Sequence, residues 1–171
     1  MFRNILVSID GSAHADRALT EAIDMAEAAN AKLTILTAVT QPSPWAYVGS
    51  GGAAAQALNE ELDHEADKII RRALARLPQG MPVTKIVTHE PVRAALMRRI
   101  EEAGHDLLVM GSRGRGTVKS AVLGSVSQYM LHRSPIPVLV VHPHEEDESV
   151  VSPRERGAST SGASATGAAV A

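Results

Sequence analysis

Short apolar segments alternate with longer segments of helical periodicity over the first 143 residues of the chain. Two of the short segments, DLLVM and PVLVV, are apolar almost throughout. A strand with one face in water would alternate polar and apolar residues, so these runs indicate strands buried on both faces. The pattern therefore predicts an α/β fold: a single domain with an open five-stranded parallel sheet and helices on both faces. The predicted strands are 4–9, 32–39, 82–89, 106–110 and 137–141, and the predicted helices are 13–30, 53–77, 91–103 and 125–133.

The composition argues against several classes of function. A net charge of −2 offers no cationic field for nucleic acid or an anionic membrane. The chain has no cysteine, which excludes disulfides, thiolate catalysis and cysteine-ligated zinc. No segment has the features of a signal peptide or approaches the roughly 20 apolar residues of a membrane-spanning helix. We therefore expect a cytoplasmic protein with neither a nucleic-acid nor a membrane partner.

The composition changes sharply after His144. Residues 145–148 are all acidic, and residues 157–171 consist almost entirely of Gly, Ala, Ser and Thr. Such a segment has too few apolar side chains to offset the entropy lost on ordering. We expect the folded domain to span residues 1–143 and residues 144–171 to form a disordered C-terminal tail.

Two predicted strands end in residues suited to ligand binding. The first is followed by Asp10-Gly11-Ser12, and the fourth by the glycine-rich sequence MGSRGRG. In open parallel sheets, ligands bind beyond the carboxyl ends of the strands, where the strand order reverses. The glycine-rich sequence matches neither the dinucleotide fingerprint, which would follow the first strand, nor the ATPase loop, because Thr117-Val118 replace its Lys-Ser/Thr pair.

The glycine-rich sequence nevertheless suits an anion. Gly111 and Gly114 would allow backbone N–H groups to turn inward without a Cβ in the way. Gly124-Ser125 then begins a helix whose free N–H groups and positive dipole end favour phosphate. Ser125 and Gln128 have the spacing of a capping box. This predicts phosphates held between the loop and the start of the helix.

Charged and aliphatic residues would complete such a site. Mobile positive charge would come from Arg113, Arg115 and Lys119. With so few aromatic residues, a base would lie against the aliphatic groups of Ile9, Ala38 and Val39. A carboxylate together with phosphate oxygens suits Mg²⁺, so Asp10 could share a magnesium ion with bound phosphates.

The combination of motifs resembles the universal stress protein family. The order Gly111-x-x-Gly114, nine residues, Gly124-Ser125 is similar to the ATP-binding signature of that family, and ILVSIDGS, VMGSRGRG and SPIPVLVV are similar to other segments of that family. The resemblance covers about residues 1–143. It departs at the turn His89-Glu90-Pro91 and in the segment that carries Trp45 and Tyr47.

The resemblance implies a fold, a ligand and a set of residues. The family sheet has the strand order 3-2-1-4-5, which would place the first and fourth strands side by side. It implies membership of the ATP-binding branch, with ATP as the ligand. The residues matched to the family site are Asp10, Ala38, Gly111, Gly114, Gly124 and Ser125, and we add the loop cation Arg113 to the predicted cofactor-binding set.

Three functions remain open on the sequence. The first is an ATP-binding regulatory or stress-response protein with little intrinsic turnover that acts on a protein partner. The second is a slow ATP hydrolase or nucleotidyl transferase on the same scaffold. The third is a dimeric interaction module with an empty crevice. No catalytic base can be assigned, because Asp10 is the one acid placed in the crevice, so we expect very slow hydrolysis at most.

The histidines do not predict a metal site. His142-Pro143-His144 next to Glu145 is the best candidate, but it lies at the end of the domain without fixed geometry. The histidines on helices, His14 among them, are expected to be at the surface or partly packed. We therefore predict no protein metal site.

The last predicted strand suggests self-association. The segment from Pro137 to Val141 is wholly apolar, and the family order would place it at an edge of the sheet. An apolar edge strand with unpaired N–H and C=O groups favours pairing with another chain. We therefore predict a homodimer through this strand, as the resemblance also implies.

Overall fold

The structure, a computed structural model, describes residues 1–39, 51–115 and 123–142. Nine elements follow one another in these residues. They are β1 (Asn4–Ser8), α1 (Ala13–Ala29), β2 (Lys32–Ala38), α2 (Gly51–Leu74), β3 (Val83–Thr88), α3 (Val92–Ala103), β4 (Leu107–Gly111), α4 (Ser125–Arg133) and β5 (Val138–Val141). The predicted tail lies outside the described residues, as do Trp45, Tyr47 and Lys119.

The five strands form one parallel sheet in the order β3-β2-β1-β4-β5. This confirms both the predicted fold class and the strand order implied by the family resemblance. β1 is central and pairs with β2 on one side and β4 on the other, with Val7 opposite Ile35 and Val109. The predicted helix and strand boundaries agree with the observed ones to within about three residues.

The sheet separates two hydrophobic cores. Alternate residues of β1 point to opposite faces: Ile5 and Val7 belong to the core on the α1/α2 side, and Leu6 to the core on the α3/α4 side. Every residue of β4 is buried, as expected for an inner strand of a sheet covered on both faces. This two-sided burial is the reason that β4 is continuously apolar in sequence.

Local signals define the ends of α1. Ser12 is the N-cap, and its hydroxyl accepts a hydrogen bond from the Ala15 backbone N–H at 3.2 Å. Asn30 adopts the left-handed conformation at φ 49° and ends the helix. The start of α1 thus lies directly after β1, at the edge of the sheet where the fourth strand also ends.

No helix in residues 1–39, 51–115 and 123–142 is long and apolar enough to cross a membrane.

Candidate functional site

The carboxyl ends of β1 and β4 meet at the point where the strand order reverses. Ser8 is paired with Met110, so the residues after them, Asp10 and Ser112, emerge at the same edge of the sheet. β2 lies on one side of β1 and β4 on the other, and doubly wound sheets bind ligands in the crevice at such a point.

The Asp10 carboxylate connects the end of β1 to the glycine loop. Its Oδ1 accepts hydrogen bonds from the Ser12 backbone N–H at 3.0 Å and the Ser12 hydroxyl at 2.6 Å. Its Oδ2 accepts one from the Arg115 backbone N–H at 2.9 Å. The carboxylate is therefore held in one orientation between the end of β1 and the glycine loop. The cap of α1 is Ser12, and Asp10 in turn holds Ser12 in place.

Gly114 lets the loop approach this carboxylate. A Cβ on Gly114 would lie 2.6 Å from Asp10 Oδ2, closer than non-bonded atoms can come. Any other residue here would push the loop away from Asp10 or displace the carboxylate. The close approach of the loop to the Asp10 carboxylate thus explains why residue 114 is a glycine.

Gly111 is explained by packing against α1. It is buried, and a Cβ on it would lie 2.7–2.9 Å from backbone and Cβ atoms of His14 and Ala15. The absence of a side chain allows the end of β4 to touch the first turn of α1. The structure therefore gives Gly111 a steric role in the fold, in addition to the ligand-facing role predicted from sequence.

Ser112 joins four parts of the molecule. Its backbone N–H donates to Val141 O at 2.8 Å, and its carbonyl accepts from the Gly124 N–H at 2.7 Å. Its hydroxyl is hydrogen-bonded to Nδ1 of His14 at 2.8 Å, and both side chains are buried. The hydroxyl of Ser127 donates to Gly111 O at 2.8 Å. These bonds fix the start of α4 against the loop.

His14, Ser112 and Ser127 were missed as site-forming residues. The expectation that His14 would be at the surface or partly packed was wrong, because it is 8% exposed. The sequence offered one signal. His14 is next to Ala15 and about one helical turn before Ala18 and Leu19, so it lies on the buried face of α1 with them. Its hydrogen bond to Ser112 spans 98 residues and has no local signature.

The start of α4 differs from the sequence prediction in one respect. Gly124 is the N-cap, Ser125 is the first helical residue, and no side chain caps the helix. The predicted capping box of Ser125 and Gln128 is therefore wrong, because Ser125 lies one position too far into the helix to act as a cap. Because the N-cap is a glycine, it provides no side-chain hydrogen bond to the backbone N–H groups of the first turn, and such a helix start suits an anion.

Fewer aliphatic residues are accessible to a ligand in the crevice than the sequence predicted. Ile9 and Val39 are 4% and 6% exposed, whereas Ala38 is half-buried at the end of β2. The Val39 backbone N–H donates to Thr88 O at 2.8 Å, which ties the end of β2 to β3. Of the three predicted residues, Ala38 has the most surface left for a ligand.

Two arginines of the glycine loop take different positions. Arg113 is half-buried between Ser112 and Gly114. Arg115 is exposed, and its Nη2 lies 2.8 Å from Oε1 of Glu65 on α2. The hydrogen bond and the positive charge of Arg115 lower the pKa of the Glu65 carboxyl. Glu65 is a further residue near the site that the sequence did not indicate.

Acidic and histidine side chains do not form a metal centre in the part of the chain that the structure describes. No three His, Asp or Glu residues are grouped there so as to hold a metal ion. His142-Pro143-His144, which was considered on the sequence and not adopted as a metal site, lies mostly outside that part.

The fold and the crevice define a class: a doubly wound α/β protein with a polar loop and a helix start at its switch point. The model of the family described as "Universal stress protein family" matches residues 1–142. A universal stress protein from Thermus aquaticus is 38% identical over 141 residues, covering 82% of this chain and 99% of the relative. The chain belongs to the universal stress protein family.

Solved structures agree with this assignment. Universal stress protein UspA from Lactobacillus plantarum superimposes with a TM-score of 0.67, over 82% of this chain and 97% of that one, and at 23% identity this similarity concerns the fold. A universal stress protein in complex with cAMP is 29% identical, with a TM-score of 0.54 over 84% of this chain and 98% of that one.

Proposed function

We propose that the crevice between Asp10 and the start of α4 binds ATP and that the protein is a nucleotide-dependent regulator of the stress response, acting in the cytoplasm with little turnover. The observation that carries the proposal is the Asp10 carboxylate, which three hydrogen bonds orient at the switch point beside the glycine loop. The family relative in complex with cAMP supports an adenine nucleotide as the ligand class.

Each part of the crevice has a role in this proposal. Asp10 accepts hydrogen bonds from ribose hydroxyls or shares a magnesium ion with the phosphates. The phosphates lie between the Gly114 loop and the first turn of α4, where Gly124 and Ser125 present backbone N–H groups and a hydroxyl. Arg113 adds positive charge, and Ala38 contacts the base.

Binding is tested by calorimetry with ATP on the wild type and on Gly114→Val. The valine side chain occupies the space of the Asp10 carboxylate, so we expect ATP binding to be lost while the circular-dichroism spectrum stays that of a folded protein. Gly52→Ala is the matched control, because a Cβ there meets nothing within 4 Å. Unchanged ATP affinity in Gly114→Val would refute this site.

The ligand itself is tested by mass spectrometry of gently purified protein. We expect a retained adenine nucleotide in the wild type and none in Gly114→Val. A retained ligand of another class in the wild type would contradict ATP as the natural ligand.

Turnover separates the regulator from its alternative, a slow ATP hydrolase or nucleotidyl transferase. Hydrolysis requires a positioned water and a group to accept its proton, and we assign no such group beside Asp10. We therefore expect phosphate release far below about 1 per second in a single-turnover assay with magnesium and radiolabelled ATP. Rapid release that is lost in Asp10→Ala would favour the enzyme.

A further inference from the structure

Arg115 makes contacts in two directions from the rim of the crevice. Its backbone N–H binds Asp10 Oδ2 at 2.9 Å, and its guanidinium binds Glu65 on α2 at 2.8 Å. The guanidinium crosses over Gly11, where a Cβ would lie 2.8 Å from Nη2, and Gly11 has a φ of +77° that favours glycine. The Arg115 side chain thus spans from the proposed phosphate loop to α2.

An anion of higher charge can replace the Glu65 carboxylate as the partner of the Arg115 guanidinium. The two side chains are 47% and 41% exposed, and ion pairs this exposed change an equilibrium by a factor of about 2 to 5. A phosphate group carries more charge than a carboxylate and matches the planar guanidinium with two parallel hydrogen bonds. Moving the Arg115 guanidinium away from Glu65 therefore costs little free energy, and its interaction with a phosphate is more favourable than its interaction with Glu65.

The backbone of Arg115 keeps the side chain within reach of the ligand. Its N–H is bound to the Asp10 carboxylate, so rotation of the side chain alone redirects the guanidinium. Phosphates held at the Gly114 loop would be one residue away from Arg115 in sequence. The loop itself does not have to rearrange.

We propose that Arg115 selects nucleotides by their number of phosphates. In the free protein its guanidinium pairs with Glu65, and it leaves Glu65 to bind a terminal phosphate. This inference rests on the proposed nucleotide site and adds a specificity-determining pair to it. Adenosine and AMP leave the pair intact, whereas ATP draws Arg115 onto its terminal phosphate. The ratio of ATP affinity to AMP affinity then depends partly on Glu65, a residue of α2.

The exchange also gives α2 a way to respond to the ligand. Ile69 and Ile70, in the second half of α2, are buried against the sheet, whereas most residues from 52 to 61 are exposed. Glu65 lies between these halves, near the tie between Asp63 and His89 at 3.4 Å. Loss of the Arg115 contact would remove one of the side-chain contacts that hold α2 to the rim of the crevice.

The test is calorimetry with adenosine, AMP, ADP and ATP on four proteins. Glu65→Gln removes the competing charge, so we expect ATP to bind about 2- to 5-fold more tightly and adenosine to bind as before. Arg115→Gln should weaken ATP by about tenfold or more and reduce the ATP-to-AMP affinity ratio. Glu61→Gln, an exposed residue of the same helix with the same charge change, should leave the ratio at the wild-type value.

A double variant distinguishes action through Arg115 from a general change of charge. If Glu65 acts through Arg115, Glu65→Gln has no effect on ATP affinity in the Arg115→Gln background. In hydrogen exchange, ATP and not adenosine should speed the exchange of amides in α2 before Glu65, and Arg115→Gln should abolish this difference.

The outcomes separate this inference from the proposed function. If the wild type binds ATP but Glu65→Gln leaves the ATP-to-AMP ratio unchanged, or acts equally with and without Arg115, the inference is wrong and the nucleotide site stands. If the wild type binds none of the four ligands, the proposed function fails and the inference with it.

Discussion

At the scale of single residues, the buried Gly111 lies where an added side chain would meet the backbone of a helix. A Cβ would lie 2.7 Å from the carbonyl carbon of His14 and 2.9 Å from the Ala15 nitrogen, both of which are helix backbone and cannot move independently. We predict that Gly111→Ala lowers the free energy of unfolding by about 1–3 kcal/mol. Urea denaturation measures it. Gly52→Ala, made in open space, should not destabilise, and equal stability of the two variants would contradict the packing role.

The ion pair of Arg115 with Glu65 has a direct titration signature. The hydrogen bond and charge of Arg115 lower the pKa of Glu65, so the pair favours the ionised carboxylate in the folded state. Its contribution to stability is present at neutral pH and is lost as the pH falls through the lowered pKa of Glu65. We predict that Arg115→Gln raises this pKa toward its ordinary value, as measured by NMR titration of the carboxyl carbon.

The control for that titration is Arg76→Gln, because Arg76 is paired with Asp16 and is remote from Glu65 in its contacts. It should leave the pKa of Glu65 where it is in the wild type. An equal pKa of Glu65 in the wild type and in Arg115→Gln would contradict the pairing.

At the scale of elements, the two edge strands of the sheet differ in their suitability for pairing with another chain. β5 is VLVV, whereas β3 is VTKIVT and carries Lys85 in its centre. A lysine on an edge strand opposes edge-to-edge association, and an apolar edge favours it. We propose that the protein forms a homodimer through the segment from Pro137 to Val141, so that two sheets join across a two-fold axis.

The dimer is tested by light scattering on Val140→Lys. A lysine in each β5 strand would bring like charges together at the proposed interface, so we expect a monomer. Val87→Lys on the opposite edge is the matched control and should remain a dimer, since Val87 is 39% exposed on β3. A wild type that is monomeric at micromolar concentration would refute the interface.

At the scale of the whole molecule, the described residues (1–39, 51–115 and 123–142) contain a hydrophobic core on each side of the sheet. Residues 157–171 contain a single valine among small residues, so their burial would yield little free energy. We predict that deletion of these 15 residues leaves the melting temperature and ATP affinity unchanged. Calorimetry of the truncated protein measures both, and a loss of several degrees would show that this segment packs on the domain.

The elements, their order and the parallel sheet could be predicted from the sequence. Continuous apolar runs such as β4 and the helical spacing of Ala15, Ala18 and Leu19 are consequences of burial that repeat within one element, so they can be read locally. The positions of Asp10 and the glycine loop at strand ends followed from the same pattern. The strand order came from the family resemblance, because periodicity does not specify which strands are neighbours.

The contacts among the residues of the crevice could not be predicted from the sequence, because they depend on how the folded elements pack. The hydrogen bond between Arg115 and Asp10 and the one between His14 and Ser112 join residues 105 and 98 positions apart, and the pair of Arg115 and Glu65 spans 50. The packing of Gly111 against α1 is equally remote in sequence. Such contacts leave no periodic trace, because they arise where separate elements meet after the sheet has formed.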